Sequence, residues 1–188
     1  YDDATDIISQ LDEEDQQEIL EDIDEEDASN IRALLSYPED TAGGIMNSEV
    51  IKVNINQNKK DALEDIIRQS EEMEEFYTIY VVDNDNMLRG ILSVKSILKA
   101  PAYARVAELV NRDFVYVKAE LDQEDVAGLI SQYNLTTIPV VDDHMKLLGR
   151  ITVDDIMDVM EQESTEDILK ISGVSEDEEL SGNWKDAV

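Results

Sequence analysis

Two stretches of the chain carry the same alternation of short β-branched runs and amphipathic helical patterns. The first passes from Ile45-Met46-Asn47 through Val50-Ile51-Lys52-Val53 and Ile79-Tyr80-Val81-Val82-Asp83 to Leu88-Arg89-Gly90-Ile91-Leu92-Ser93. The second passes from Leu109-Val110-Asn111 through Phe114-Val115-Tyr116-Val117 and Ile138-Pro139-Val140-Val141-Asp142 to Leu147-Leu148-Gly149-Arg150-Ile151-Thr152. Asn47 matches Asn111 at the start, and Gly90 matches Gly149 at the end. The offset between copies shrinks by five from the first match to the second, so the first copy holds five extra residues, around Ser70 to Glu75 in a helix or its exit. Each copy reads as strand, helix, strand, polar turn, strand and helix, a β-α-β-β-α unit. In the second copy Asp122 can cap a helix that turns Val126, Ile130 and Leu129 inward, and Ile138 to Val141 reads as a buried strand. Two such units predict an α+β fold, with small sheets and helices packed face to face and a cleft between them.

Residues 1–42 follow another pattern, helical throughout. The quartet Asp12-Glu13-Glu14-Asp15 recurs as Asp24-Glu25-Glu26-Asp27. Each quartet can cap a short helix, its first Asp accepting a backbone N–H and the next acids facing the positive end of the dipole. Ile19, Leu20 and Ile23, then Ile31, Leu34 and Leu35, supply the inward positions. Two or three such helices are too small to stand alone, so they read as the end of a larger helical domain, closed by Pro38 and the pair Gly43-Gly44. The organisation expected is a helical segment 1–42, a first repeat 43–100, a second repeat 101–163 and a helix start with an acidic linker over 164–188.

Charge changes the picture. Asp and Glu number 46 against 15 Lys and Arg, a formal net charge of −31 at pH 7. That makes nucleic acid and anionic lipid poor partners. Two carboxylates ~4 Å apart repel by about 4 kcal/mol at an effective dielectric near 20, so acids that cluster must be screened, protonated or bridged by a cation. A divalent ion is the obvious counter-charge, and solvated acidic helix faces are the plain alternative. No window approaches 18 consecutive apolar residues, and the absence of Cys suits a chain without disulfides.

The paired units resemble tandem CBS repeats: Gly90 to Ser93 and Gly149 to Thr152 each give Gly-x-hydrophobic-Ser/Thr after a Val-Val-Asp strand. The junction Tyr37-Pro38-Glu39-Asp40-Thr41-Ala42-Gly43-Gly44-Ile45-Met46 resembles the passage from helical N domain to first CBS repeat in the MgtE family of magnesium channels. Thr152 to Ile168 resembles the stretch that enters the family's connecting helix. The resemblance covers residues 4 to 174. It implies the cytosolic part of a plasma-membrane protein that is a homodimer, with a transmembrane pore domain beyond residue 188. It also implies that several Mg²⁺ ions per subunit draw acidic faces together, and that their loss lets the assembly open.

If residues 153–171 form one helix, Asp155, Asp158 and Glu166 share about 80° of arc, and Val153, Met157, Met160 and Ile171 lie roughly opposite, as a packing stripe. Oxygen-only ligands suit Mg²⁺ or Ca²⁺, and Mg²⁺ keeps several waters, so one or two carboxylates per ion suffice. Carried over position by position, the resemblance implies metal ligation by Asp155, Asp158, Glu163, Glu166 and Asp167. It adds Asp122, Glu124, the carbonyls of Gly44 and Ser131, and Asn134, where an amide stands in place of the family's acid.

CBS pairs also bind ATP or AMP, with an Asp three residues after the Ser/Thr holding the ribose. Ser96 takes that place in the first copy and Thr78 the base-stacking place, which counts against a nucleotide there. The second copy keeps Thr152 and Asp155. The alternative reading is thus an adenine-nucleotide-sensing CBS module for another partner. Asp83-Asn84-Asp85-Asn86-Met87 starts like a calcium loop, but Leu88 replaces the required Gly and Val94 the closing Glu, so it reads as a hairpin turn. His144 sits in the matching turn of the second copy. Nothing in the sequence assembles a nucleophile with a base, so it is read as a binding protein and not an enzyme.

Overall fold

A computed structural model describes residues 2–71, 73 and 76–160. Three helices come first, α1 (Asp2–Ser9), α2 (Glu13–Asp22) and α3 (Glu25–Leu34). The first repeat follows as β1 (Lys52–Asn54), α4 (Lys59–Ser70), β2 (Thr78–Val82), β3 (Leu88–Ser93) and α5 (Val94–Lys99). A short helix, α6 (Val106–Leu109), leads to the second: β4 (Val117–Lys118), α7 (Gln123–Tyr133), β5 (Thr137–Val141), β6 (Leu147–Thr152) and a helix α8 over 153–160. Both sheets have three strands, with the first parallel and the last antiparallel to the middle one. This is the mixed α+β CBS-pair fold.

The extra residues of the first copy fall where the pattern placed them. From helix start to middle strand the first copy runs from Lys59 to Thr78 and the second only from Gln123 to Thr137, so the excess lies at the end of α4 and in its exit. Asn58 caps α4 by accepting from Lys60 N and Asp61 N at 2.9 and 3.0 Å, and Asp122 caps α7 through Glu124 N at 2.8 Å.

The middle strands are apolar on both faces because both faces are covered. Ile79 and Val81 of β2 pack under α4, and Ile138 and Val140 of β5 pack under α7. Tyr80, Val82 and Leu88 meet Val141 and Leu147 in a third cluster between the two sheets. The hairpin turns join there too, with Leu88 N donating to Met145 O at 2.7 Å and Leu147 N to Asn86 O at 3.1 Å.

Each repeat is completed by the lead-in of the other. Asn47 pairs with Arg150 on β6, and Asn111 with Ile91 on β3. Ala42 and Met46 lie in the second repeat's core, whereas Val106, Leu109 and Val110 lie in the first's. The motif glycines are needed for these contacts: a Cβ on Gly90 would stand 2.4 Å from Asn111 O, and one on Gly149 2.6 Å from Asn47 O.

Three expectations are corrected. Ile19 is 38% exposed, since Ile8, Leu20, Ala28 and Ile31 already fill the small helical core. Asp24 makes no side-chain cap, unlike Asp12, which accepts from Asp15 N at 3.1 Å. The packing stripe of α8 is also not the one expected. Ile156 and Val159 are buried, at 3% and 4%, while Val153, Met157 and Met160 are 37%, 64% and 56% exposed. The buried pair lies about 60° apart on the helix and beside Asp155, so the sheet selects that side. Among the described residues no helix is long and apolar enough to cross a membrane. Residues 161–188, including the expected linker, lie outside those described.

Candidate functional site

α3 does not stop at its own small core. Leu34 enters the core of the second repeat beside Ala42 and Met46, and so anchors the helical segment there. Between the two lies a cavity of about 530 Å³, lined on one side by Thr5, Ser9 and Gln16 and on the other by Gly44, Asp155 and Asp158. Tyr37, Glu39 and Gln123 close it.

Gly44 is held by Thr41, whose carbonyl accepts from Gly44 N at 2.9 Å. A Cβ on Gly44 would lie 2.3 Å from Pro38 O and 2.8 Å from Glu39 O, so the turn draws backbone oxygens together where only glycine fits. Asp155 Oδ2 accepts from Thr152 N at 2.6 Å and Thr152 Oγ1 at 2.8 Å, capping α8 and fixing its own direction. Asp158, one turn on, is exposed. Tyr37 packs against the second repeat's core, and its phenol is pushed up first by burial and then by the charges of Glu120 and Asp142. The field on this side of the second repeat is therefore negative.

The donor set fits a hard, hydrated cation: carboxylates, backbone carbonyls, hydroxyls and amides, with no sulfur or imidazole. Among the described residues no group of three or more His, Cys, Asp and Glu is placed to hold a metal. A complete protein cage is thus absent there, and an ion that keeps its waters suits two carboxylates better than one that demands six to eight ligands.

Among the described expected ligands, Gly44, Asp155 and Asp158 line the cavity together, and Asp122 stands beside it, bridged to Thr41 of the Gly44 turn. Asp122 is committed to the α7 cap, with Glu124 exposed beside it. Ser131 and Asn134 lie toward the other end of α7, roughly 14 and 18 Å along the helix from Asp122. Asn134 has φ 50° and ψ 49° and closes the helix, with its N–H on Ile130 O and Ser131 O. A left-handed C-terminal residue favours an amide over most side chains, which gives the departure from the family's acid a structural reason. Glu163, Glu166 and Asp167 lie outside the described residues. Sequence reasoning did not single out Glu39, Tyr37 or Gln123 as site residues, although the first two stand inside the junction motif.

The hairpin carboxylates serve their own turns. Asp83 Oδ1 accepts from Asp85 N and Met87 N, and Oδ2 from Arg89, so its oxygens are spent on the turn. Asp142 does the same for His144 N and Lys146 N.

A family model described as the CBS domain matches residues 42–103 and 106–162, and one described as the MgtE intracellular N domain matches residues 1–40. The chain belongs to the MgtE family. It is 42% identical over 146 residues to the magnesium transporter MgtE of Thermus thermophilus, covering 78% of this chain and 32% of that one. It is 36% identical over 156 residues to the MgtE of Enterococcus faecalis, covering 83% and 34%. This MgtE-family chain thus spans about a third of the curated relatives it matches. Among solved structures it resembles the soluble part of a magnesium transporter, at TM-score 0.81 and 35% identity, over 86% of this chain and 63% of that one. It also resembles the cytosolic domain of the Mg²⁺ channel MgtE in complex with ATP, at TM-score 0.77 and 37% identity, over 84% and 64%.

Proposed function

We propose that this chain is the Mg²⁺-sensing cytosolic region of a magnesium channel, acting by binding and without a reaction of its own. The cavity between the helical segment and the second repeat carries the reading, because Asp155 and Asp158 line it together with the turn that holds Glu39 and Gly44. A hydrated Mg²⁺ there supplies the positive charge that lets these groups stay close. Asp155 and Asp158 then hold the helical segment against the repeats. Without the ion the crowded charges of Asp155, Asp158 and Glu39 repel one another, the cavity opens, and the helical segment is free to part. The working form is a homodimer joined to a transmembrane pore domain of the same polypeptide, at the cytoplasmic face of a plasma membrane. Glu163, Glu166, Asp167, Asp122, Glu124, the Ser131 carbonyl and Asn134 serve further ions in that assembly.

A second reading is regulation by an adenine nucleotide between the repeats. It is favoured by the solved relative in complex with ATP and by the Thr152–Asp155 pair.

Thermal unfolding separates these readings. Mg²⁺ at ~100 times its dissociation constant stabilises by about 2.7 kcal/mol, and KCl at equal ionic strength does not. The double variant D155N/D158N is expected to lose most of that gain. Equal stabilisation by KCl, or an undiminished response of the double variant, would contradict the metal reading. Stabilisation by ATP alone would favour the second.

A further inference from the structure

The last strand of each repeat ends on a hydroxyl, Ser93 on β3 and Thr152 on β6, and a helix follows at once. Each hydroxyl bonds the residue three further on, Ser96 in the first repeat and Asp155 in the second, but the two bonds run in opposite directions. Ser93 Oγ accepts from Ser96 N at 3.1 Å and so caps α5. Thr152 donates instead. Its Oγ1 reaches Asp155 Oδ2 at 2.8 Å, and its N–H reaches the same oxygen at 2.6 Å. Two donors fill both lone-pair directions of one carboxylate oxygen. The N–H bond by itself ties the carboxylate to the start of α8, as in the second half of a capping box. The hydroxyl adds a second lock on Oδ2.

Asp155 lines the cavity with Asp158 and Gly44, and Pro38 stands in the same wall. Pro38 is held in a like manner, its carbonyl accepting from Thr41 N at 3.2 Å and Thr41 Oγ1 at 2.7 Å. Two threonines thus each turn both donors onto a single oxygen of a residue in this wall. Such a wall adapts poorly to an ion that needs many ligands. Ca²⁺ takes six to eight oxygens in flexible geometry and can draw both from one carboxylate, whereas Mg²⁺ keeps several waters and uses one or two carboxylates. To chelate through both oxygens, Asp155 would have to break both Thr152 bonds. Ligation through one oxygen leaves them whole.

Resting on the magnesium reading of this cavity, we propose that Thr152 sets its ion selectivity, holding Asp155 to one-oxygen ligation and so disfavouring Ca²⁺ against Mg²⁺. Thr152 is a positioning residue that acts through Asp155. A hydroxyl that only stabilised the helix start would, on removal, weaken both ions alike. One that restrains Oδ2 moves the two affinities apart.

The test is calorimetric titration of the nucleotide-free chain with MgCl₂ and with CaCl₂ at fixed ionic strength, each read as the part of the binding that D155N/D158N removes. T152V keeps the branched shape without the hydroxyl, and T152A removes both. In each, the Ca²⁺ to Mg²⁺ affinity ratio is expected to rise by about threefold or more, the scale of one lost hydrogen bond to a carboxylate. T152S restores the hydroxyl and is expected to return the ratio to the wild-type value. In chelator both variants are expected to melt close to the wild type, because the residue 152 N–H still holds Oδ2. An unchanged ratio, or an equal loss for both ions, overturns the role of Thr152 and leaves the magnesium site standing. Collapse of both variants in chelator makes the hydroxyl a requirement of the fold and overturns that role as well. Magnesium binding that D155N/D158N does not diminish overturns the site itself, and the selectivity with it.

Discussion

Substituting alanine at two glycines should move stability in opposite directions. On Gly44 the new methyl would stand 2.3 Å from Pro38 O, 2.8 Å from Glu39 O and 2.9 Å from Glu39 Cα, where real Cβ atoms keep beyond 3.0 Å. All three obstacles are backbone, and Pro38 O is further held by Thr41 N at 3.2 Å and Thr41 Oγ1 at 2.7 Å. The turn must shift, at the cost of overpacking, about 1–3 kcal/mol. For a chain of this size 1 kcal/mol moves the melting temperature by about 2–4 °C, so G44A is expected to melt roughly 2 to 12 °C lower. Gly128 lies inside α7 with nothing within 4 Å of an added Cβ. There alanine gains about 0.5–1 kcal/mol by restricting the unfolded chain, and G128A should melt roughly 1 to 4 °C higher. Differential scanning calorimetry in chelator reads both, and a repeat with MgCl₂ adds the ion's contribution. G44A is expected to lose part of the magnesium-dependent gain and G128A to keep it. A G44A chain that melts at the wild-type temperature, or a G128A chain that falls as far as G44A, would refute the packing argument.

Other perturbations follow from single contacts. D155A removes the acceptor for Thr152 N and Oγ1 and should cost about 0.5–2 kcal/mol in chelator, whereas D158A, at an exposed position, should change stability by less than about 0.5 kcal/mol; urea titration distinguishes them. Ile151, fully buried in the second repeat's core, should cost about 2–5 kcal/mol as I151A in the same assay. Burial raises the Tyr80 phenol above its ordinary 10.0, against the lowering by Thr137 and Arg150. Its contribution is therefore fully present below that value and lost as the pH rises past it, because the unfolded chain ionises first. Y80F should lose about 0.5–1.5 kcal/mol at neutral pH with the Thr137 bond, yet fall less steeply above about pH 10 in pH-dependent denaturation.

The repeat was legible because both copies obey one rule: middle strands covered on both faces lose the polar alternation, and Ile79 to Val82 and Ile138 to Val141 show this without any structure. The glycine motif was visible too, but its cause was not. Asn111 O and Asn47 O press on Gly90 and Gly149 from lead-in segments distant in the chain. Asp155 and Asp158 could be placed on one side of a helix by counting, but the direction in which that helix packs could not. Ile156 and Val159 won over the three-residue stripe of Val153, Met157 and Met160, because the sheet and α3 offer a core on their side only. Gly44 joins the two aspartates through a turn at the far end of the sequence, a closure that periodicity cannot report.

Small-angle X-ray scattering of the chain in chelator, in MgCl₂ and in KCl of equal ionic strength is the most direct test of the claim that an ion holds the acidic faces together. A smaller radius of gyration in millimolar MgCl₂ than in KCl is expected, with D155N/D158N keeping the larger one in both. Identical dimensions in chelator and in magnesium would contradict it.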